Sequence, residues 1–167
     1  LDRNGTVVHA LLSGTYAGGS MDEVMARDYL AGRYWGAMDS NEEGFWNFET
    51  MNLKGEQKDC AVYLSFWLFS PGRWSTCCWN PTCPVSIWNS RRTTKLAVYV
   101  NGNLLDNAVK RQDNPALPQR IEGIPLEKGW NHVLLKVGQL WGGWNGRFRF
   151  IATDPAYMRQ LESVIMQ

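Results

Sequence analysis

The sequence predicts an all-β domain, an antiparallel β-sandwich with helix confined to the periphery. Three observations lead there. Leu96-Ala97-Val98-Tyr99-Val100 alternates between two faces and runs into Asn101-Gly102, a pair that accepts the positive φ angles of a tight hairpin. Ala61 to Phe69 is an unbroken apolar run, rich in aromatic and β-branched residues, of the length of a central strand buried on both faces. The remaining apolar segments are short and separated by turn residues, a spacing that favours an antiparallel sandwich.

In chain order, Val7 to Leu12 reads as a first strand ended by Ser13-Gly14. Gly18-Gly19-Ser20 is a loop, and Ser20 or Asp22 is placed to cap a short helix over Asp22–Leu30. The stretch from Gly32 to Gly44 mixes Tyr34 and Trp35 with Asp39, Glu42 and Glu43, and is followed by a short strand, Phe45–Phe48. Leu53–Glu56 is a brief segment and turn before the Ala61–Phe69 strand. Gly72 to Pro84 is a loop rich in Cys and Trp, Val85–Trp88 a strand, and Asn89–Thr94 a polar, basic turn.

Past the hairpin, Asn103-Leu104-Leu105 starts a return strand. Lys110 to Pro118 is an exposed connection, and Arg120–Ile124 is extended. Gly129-Trp130-Asn131 introduces the strand His132–Val137, Gly138 to Gly146 is a loop, and Arg147–Ile151 alternates again. Asp154-Pro155 reads as the start of a terminal helix, Tyr157–Met166, because Asp caps well and Pro fits the first turn. Its apolar stripe predicts docking onto a partner surface. The expected organisation is a sandwich over 1–154 and a C-terminal helix or linker over 155–167.

With 167 residues the chain suits one domain, and 44% hydrophobic residues suffice for a core. A net charge of +1 leaves no electrostatic footprint for nucleic acid. No apolar run has the roughly 18–20 residues of a membrane span. The chain begins at Leu1, not Met, and reads as a processed piece of something longer, so the lack of a signal peptide says nothing about compartment.

The four cysteines are Cys60, Cys77, Cys78 and Cys83. A loop disulfide joining Cys83 to Cys77 or Cys78, and a vicinal Cys77–Cys78 bridge, are both open, with reduced thiols as the alternative. Zinc is a weaker option, because Cys-Cys-x4-Cys lacks a second paired motif and a nearby His. Cys60 stands at the far end of the preceding strand, roughly 30 Å away by strand geometry, and is expected to be a buried thiol.

Leu96 to Gly102, then Leu126-Glu127-Lys128-Gly129-Trp130-Asn131, then Leu134-Leu135-Lys136-Val137 together resemble the galactose-binding-like jelly roll. That domain occurs as the sugar-binding domain of family 2 glycoside hydrolases and in several carbohydrate-binding modules. The resemblance covers about residues 85–140; Leu11–Gly14, Asp28-Tyr29-Leu30 and Ser70-Pro71 match more loosely. It implies a jelly-roll sandwich and an extracellular or periplasmic location. It also implies that a structural calcium is possible, for which Asp22, Glu23, Asp28 and Asp154 supply oxygens. The Cys/Trp loop has no counterpart in the family pattern, so ligand identity does not carry over.

Little in the sequence points to catalysis. His9 and His132 both fall in strand patterns, as half-buried hydrogen-bonded residues, and no nucleophile elbow or phosphate loop occurs. Asp39, Glu42 and Glu43 crowd one loop and read as a solvated face before a glycosidase pair.

The nine tryptophans exceed what one core of this size needs, so some are expected on the surface. Sugar rings offer flat C–H faces that aromatic rings match, while neighbouring polar groups hold the hydroxyls. Loop aromatics beside donors and acceptors are therefore the candidate carbohydrate-binding residues. Trp141, Trp144 and Asn145 form the first group. In family 6 and family 35 modules the similarly placed loop supplies an aromatic and a polar residue. Trp74 and Trp79 form a second group, which a disulfide would hold rigid. Trp88, Asn89, Arg91 and Arg92 form a third, the two arginines suiting a uronate or sulfate. Trp46, Trp67 and Trp130 are assigned to packing.

The expected function is a non-catalytic carbohydrate-binding module, not itself an enzyme, appended to a secreted polysaccharide-degrading enzyme. It needs no cofactor, and its partners are a polysaccharide or oligosaccharide and the flanking domains of its own chain. The alternative is a structural or protein-interaction β-sandwich of a multidomain protein.

Overall fold

The computed structural model describes residues 1, 3, 5, 7, 9–13, 15–30, 45–47, 59–72, 84–88, 94–105, 119–122, 124–139, 147–150, 152 and 155–164; at 12, 45–47, 84–88, 94, 119–122, 139, 147–149, 155 and 164 it describes the backbone alone. Eleven strands and two short helices run through them. In order they are β1 (His9–Leu12), β2 (Tyr16–Ala17), α1 (Met21–Ala26), β3 (Phe45–Asn47), β4 (Cys60–Ser70), β5 (Pro84–Trp88) and β6 (Thr94–Val100). Then come β7 (Asn103–Leu104), β8 (Gln119–Glu122), β9 (Gly129–Gln139), β10 (Arg147–Arg149), α2 (Pro155–Met158) and β11 (Glu162–Val164). Every strand pairing among the described residues is antiparallel. The all-β expectation holds at this level: mostly antiparallel strands in one open sheet, with a separate three-stranded sheet, β10-β5-β8.

The large sheet is organised on β4. One edge of β4 pairs along its whole length with β9, from Cys60 opposite Gln139 to Ser70 opposite Gly129. Its other edge is shared by three short strands in turn: β2 at Cys60–Ala61, β1 at Leu64–Ser65 and β11 at Trp67–Phe69. β6 pairs with the far side of β9, and β7 with β6. The long apolar run is thus central, as its composition predicts.

Alternation sorts this sheet into two faces. The inner face carries Val62, Leu64, Phe66 and Leu68 of β4, Val133, Leu135 and Val137 of β9, and Leu96, Val98 and Val100 of β6, all in one buried core. The segments just after β8 and β10 bring Ile124, Leu126, Phe150 and Ala152 to the same core. Phe150 meets Phe66 edge-on at 6.0 Å between ring centres. Cys60 is a buried thiol at the start of β4, pushed up to about 11 by burial and then by the Asp59 charge.

Over its described part, 157–164, the expected terminal helix Tyr157–Met166 is not what forms. α2 stops after Met158, and Glu162–Val164 becomes β11 on the edge of β4. Tyr157 and Leu161 join the core, and the Tyr157 hydroxyl shares a hydrogen bond with Ser70 Oγ. These two residues of the apolar stripe are buried within the domain. At the other end, β2 was not anticipated, and the first helix is Met21–Ala26, shorter than the expected Asp22–Leu30.

The hairpin and the turn before β9 are one hydrogen-bonded unit. Asn101 and Gly102 both adopt positive φ, +50° and +79°, as a two-residue hairpin requires. Asn101 Oδ1 accepts from the His132 backbone N–H at 2.9 Å, and Asn101 Nδ2 donates to Asn131 Oδ1 at 3.0 Å. Asn131 is fully buried. Its Oδ1 also accepts from Glu127 N–H at 2.8 Å, while its Nδ2 donates to the carbonyls of Glu127 and Gly129 at 2.8 and 3.1 Å. The residues that carry the family resemblance are therefore turn chemistry.

α1 covers one end of the outer face. Ser20 caps it by accepting from Glu23 N–H at 3.2 Å, and Glu23 accepts from the N–H of Gly19, the residue before the cap, at 3.0 Å. It sits so close to β9 that a Cβ at Gly138 would lie 2.7 Å from the sulfurs of Met21 and Met25. Its C-terminus is closed from β9. Lys136, with no exposed surface, donates to the carbonyls of Val24, Met25 and Arg27 at 2.5, 3.0 and 2.6 Å. The ammonium also lies 5.2 Å from the Tyr29 ring centre and 5.6 Å from that of Tyr63. Burial lowers the Lys136 amine to about 8, opposed by the Asp28 carboxylate. In Lys136→Met those carbonyls lose a charged donor, whereas the buried charge no longer has to be desolvated. Global stability should change little, while the amide protons of Val24 and Arg27 should exchange at least about tenfold faster, since a charged hydrogen bond is worth roughly 1.5–3 kcal/mol. Unchanged amide exchange in α1 would refute the clamp.

Candidate binding face

The outer face of the large sheet is closed at one end and open at the other. Under α1 and the 16–30 segment, Tyr63, Leu134 and Leu30 are buried, with Tyr16, Tyr29 and Tyr99 packed around them. Tyr16 stacks on Tyr29 at 4.9 Å between ring centres. Burial and then the Asp28 charge push the Tyr99 phenol up. Towards the far end of β4 and β9 the cover gives way: Trp67 and Phe69 are half-buried, and Trp130 is 42% exposed.

Strand register brings these side chains together. Glu162 of β11, Phe69 of β4 and Trp130 of β9 are consecutive partners across three strands, and so share one face in one row. The Phe69 and Trp130 rings are 5.3 Å apart and inclined at 64°. The Glu162 side chain is exposed at the end of the row. In the next row Trp67 lies opposite His132, with ring centres 5.2 Å apart and planes at 51°. At neighbouring strand spacing, the row from Glu162 to Trp130 is about 10 Å wide, comparable to a disaccharide.

His132 is the polar member of the neighbouring row on this face. It is buried, and its Nε2 shares a 2.7 Å hydrogen bond with Ser65 Oγ. Burial lowers it to about 4, so at neutral pH it is an uncharged imidazole. A serine beside a histidine suggests nucleophilic chemistry, which also needs donors for a developing oxyanion. Here Ser65 lies within the β1–β4 and β4–β9 ladders, and the His132 N–H is held by Asn101. Mid-sheet amides of that kind serve pairing, so the Ser65–His132 bond reads as packing polarity that orients the imidazole beside Trp67. His9, expected to be half-buried, is exposed on β1.

Trp74, Trp79, Asn89, Arg91, Arg92, Trp141, Trp144 and Asn145 lie outside the described residues, as do Cys77, Cys78 and Cys83 and the acids Asp39, Glu42 and Glu43. Trp88 is on β5, where the backbone alone is described, and the same holds for Trp46 on β3. Trp130 and Trp67 were assigned to packing; Trp130 is one of the two large hydrophobics exposed among the described residues. Glu162 falls in the segment expected as helix and stands on β11. The available signal for Trp130 was its position at the first turn of a strand, before the alternation comes under cover.

Among the described residues, no group of three or more His, Cys, Asp or Glu gathers to hold a metal ion. Of the residues expected to supply calcium oxygens, Asp22 pairs with Lys95, Glu23 accepts from Gly19 N–H, and Asp28 Oδ1 accepts from Leu30 N–H at 3.0 Å. Asp154 lies outside the described residues. No helix among the described residues is long and apolar enough to cross a membrane. Comparison with protein-family models, with curated proteins and with solved structures gives no match.

Proposed function

We propose that this chain is a non-catalytic carbohydrate-binding module on a galactose-binding-like jelly roll, serving a secreted or periplasmic glycan-degrading enzyme. The observation that carries the reading is the row Glu162–Phe69–Trp130. Two aromatic rings beside an exposed carboxylate offer what a pyranose needs, apolar surface for its C–H face and an acceptor for a pair of hydroxyls. The hairpin and turn motifs that resemble the jelly roll support the fold assignment. The loop groups Trp141, Trp144 and Asn145, Trp74 and Trp79, and Trp88 with Asn89, Arg91 and Arg92 are proposed as further subsites. Calcium, if bound, would be structural.

The test is a glycan array followed by calorimetry on the best ligand. Trp130→Ala should weaken binding at least about tenfold, the loss expected of a central aromatic anchor, with the circular dichroism spectrum unchanged. Trp141→Ala and Trp144→Ala test the loop subsite in the same assay.

One observation favours a second reading, an interaction surface for a flanking domain. Leu104, 45% exposed, is the register partner of Tyr99 and so lies on the same sheet face as Trp130. No binding to any neutral or acidic polysaccharide, with tight association to a flanking domain, would select this reading over the first.

A further inference from the structure

The two faces of the large sheet are sealed by different chemistry. The inner face packs into one continuous apolar core. At the closed end of the outer face, the buried cluster among the described residues is Leu30, Tyr63 and Leu134. Its cover is the 16–30 segment, whose buried apolar side chains are Met21, Val24 and Leu30. Between cover and sheet lies a charge: Lys136, with no exposed surface, meets the last carbonyls of α1. Such a seal is finely balanced. The three bonds offset the water that the ammonium loses, and lifting the cover returns water to both partners. Opening an apolar core brings no such compensation.

The contacts of the cover make it one unit. α1 is six residues long, too short to persist without its packing. The start of the segment is tied to the sheet by the two residue pairs of β2, and Gly18 N–H donates to Asp59 C=O at 3.1 Å. The Tyr29 hydroxyl donates to Ala17 C=O at 3.3 Å, and its ring stacks on Tyr16. These contacts join the residues before α1 to those after it, so the two ends come away together. Strand register shows what lies beneath. Leu134 is the partner of Ser65 and of Tyr99, and Tyr99 is the partner of exposed Leu104. By alternation the covered cluster shares its face with Trp67, Phe69 and Trp130.

We propose that residues 16–30 form a lid that opens as a cooperative unit while the inner core stays folded, with Lys136 as its catch. Opening extends the apolar surface at Trp130 into one face reaching Tyr63. The lid does not depend on whether that face meets a glycan or a neighbouring domain.

Amide hydrogen exchange followed by nuclear magnetic resonance on the whole chain tests it. The N–H groups of Gly18, Val24 and Arg27 are hydrogen-bonded before, within and at the end of α1. In the wild type they should share one opening constant, at least about a hundredfold larger than that of Leu64 and Leu135, partners in the β4–β9 ladder. Lys136→Met should speed all three by a common factor of at least about ten and leave Leu64 and Leu135 unchanged. Gly18 separates a lid from a fraying helix end, because it precedes α1 whereas the catch meets carbonyls at its close. Gly138→Val, with a Cβ that would lie 2.7 Å from the sulfurs of Met21 and Met25, should give the same pattern through a different contact. Acceleration confined to Val24 and Arg27 overturns the lid and leaves a frayed helix. Equal protection of Gly18, Val24, Arg27, Leu64 and Leu135 in the wild type also overturns it, since the cover then opens only with global unfolding. Faster exchange at Leu64 and Leu135 in both variants overturns it as well, because the cover is then part of the core.

Discussion

Asn131→Ala is expected to cost about 3–5 kcal/mol of unfolding free energy, enough to leave a domain of ordinary stability partly unfolded at 37 °C. Its side chain is fully buried and serves four groups at close range: Glu127 N–H, Glu127 C=O, Gly129 C=O and the Asn101 amide. Truncation leaves them without that partner in a partly buried turn, and each group left unsatisfied costs about 1–3 kcal/mol. The turn at Gly129, where φ is +99°, then loses the bonds that hold it, and so does the start of the longest strand pair. Asn131→Asp tests the same network more finely, since a carboxylate can keep the accepting bonds but loses both donors. Urea titration of the two variants measures the effect; a loss below about 1 kcal/mol for Asn131→Ala would show that the turn is held by the strands alone.

Acidification should destabilise the domain through His132 by roughly 3 kcal/mol between pH 6.5 and 4. The folded imidazole titrates near 4 and the unfolded one near 6.5, and one pKa unit corresponds to about 1.4 kcal/mol. Between these values the unfolded chain binds a proton that the folded one refuses, so stability is complete above pH 6.5 and falls as the pH drops towards 4. Carboxylates add their own acid dependence, so the quantity to measure is the difference between wild type and His132→Gln. The wild-type curve should fall more steeply through this window. Parallel curves would mean that His132 gains a proton without losing its place beside Ser65. Nuclear magnetic resonance titration of the ring protons gives the folded pKa directly.

The legible parts of the fold were those where one residue type settles the matter. Alternation located β6 and β9, and the Asn101-Gly102 pair located the turn between β6 and β7. Unbroken apolarity located β4, and Ser20 with Glu23 three residues later marked the start of α1. The C-terminal segment was not legible, because Tyr157, Leu161 and Val164 satisfy a helical stripe as well as they satisfy a turn of helix followed by a strand. The choice was made by tertiary context: the edge of β4 beyond Ser65 needs a partner, and β11 supplies it. The burial of Lys136 was not legible for a different reason. A lysine in a strand reads as solvent-facing, and only the C-terminal carbonyls of α1, distant in sequence, make its burial tolerable. The binding row was hidden in the same way. Local alternation gives the face on which Trp130 falls, but not whether that face is covered.

The central position of β4 also sets a kinetic expectation. It pairs with β9 between residues some 60 to 80 positions apart, and with β11 at still greater separation. Among the described strands, the tight hairpin of β6 and β7 is the local pairing. A chain of this kind must close long loops before most of its contacts repay the lost entropy, so refolding is expected in the range of milliseconds to seconds. Until β9 and β11 arrive, both edges of β4 stand open along an apolar strand, a template for pairing with other chains. Yield on refolding from denaturant should therefore fall as protein concentration rises.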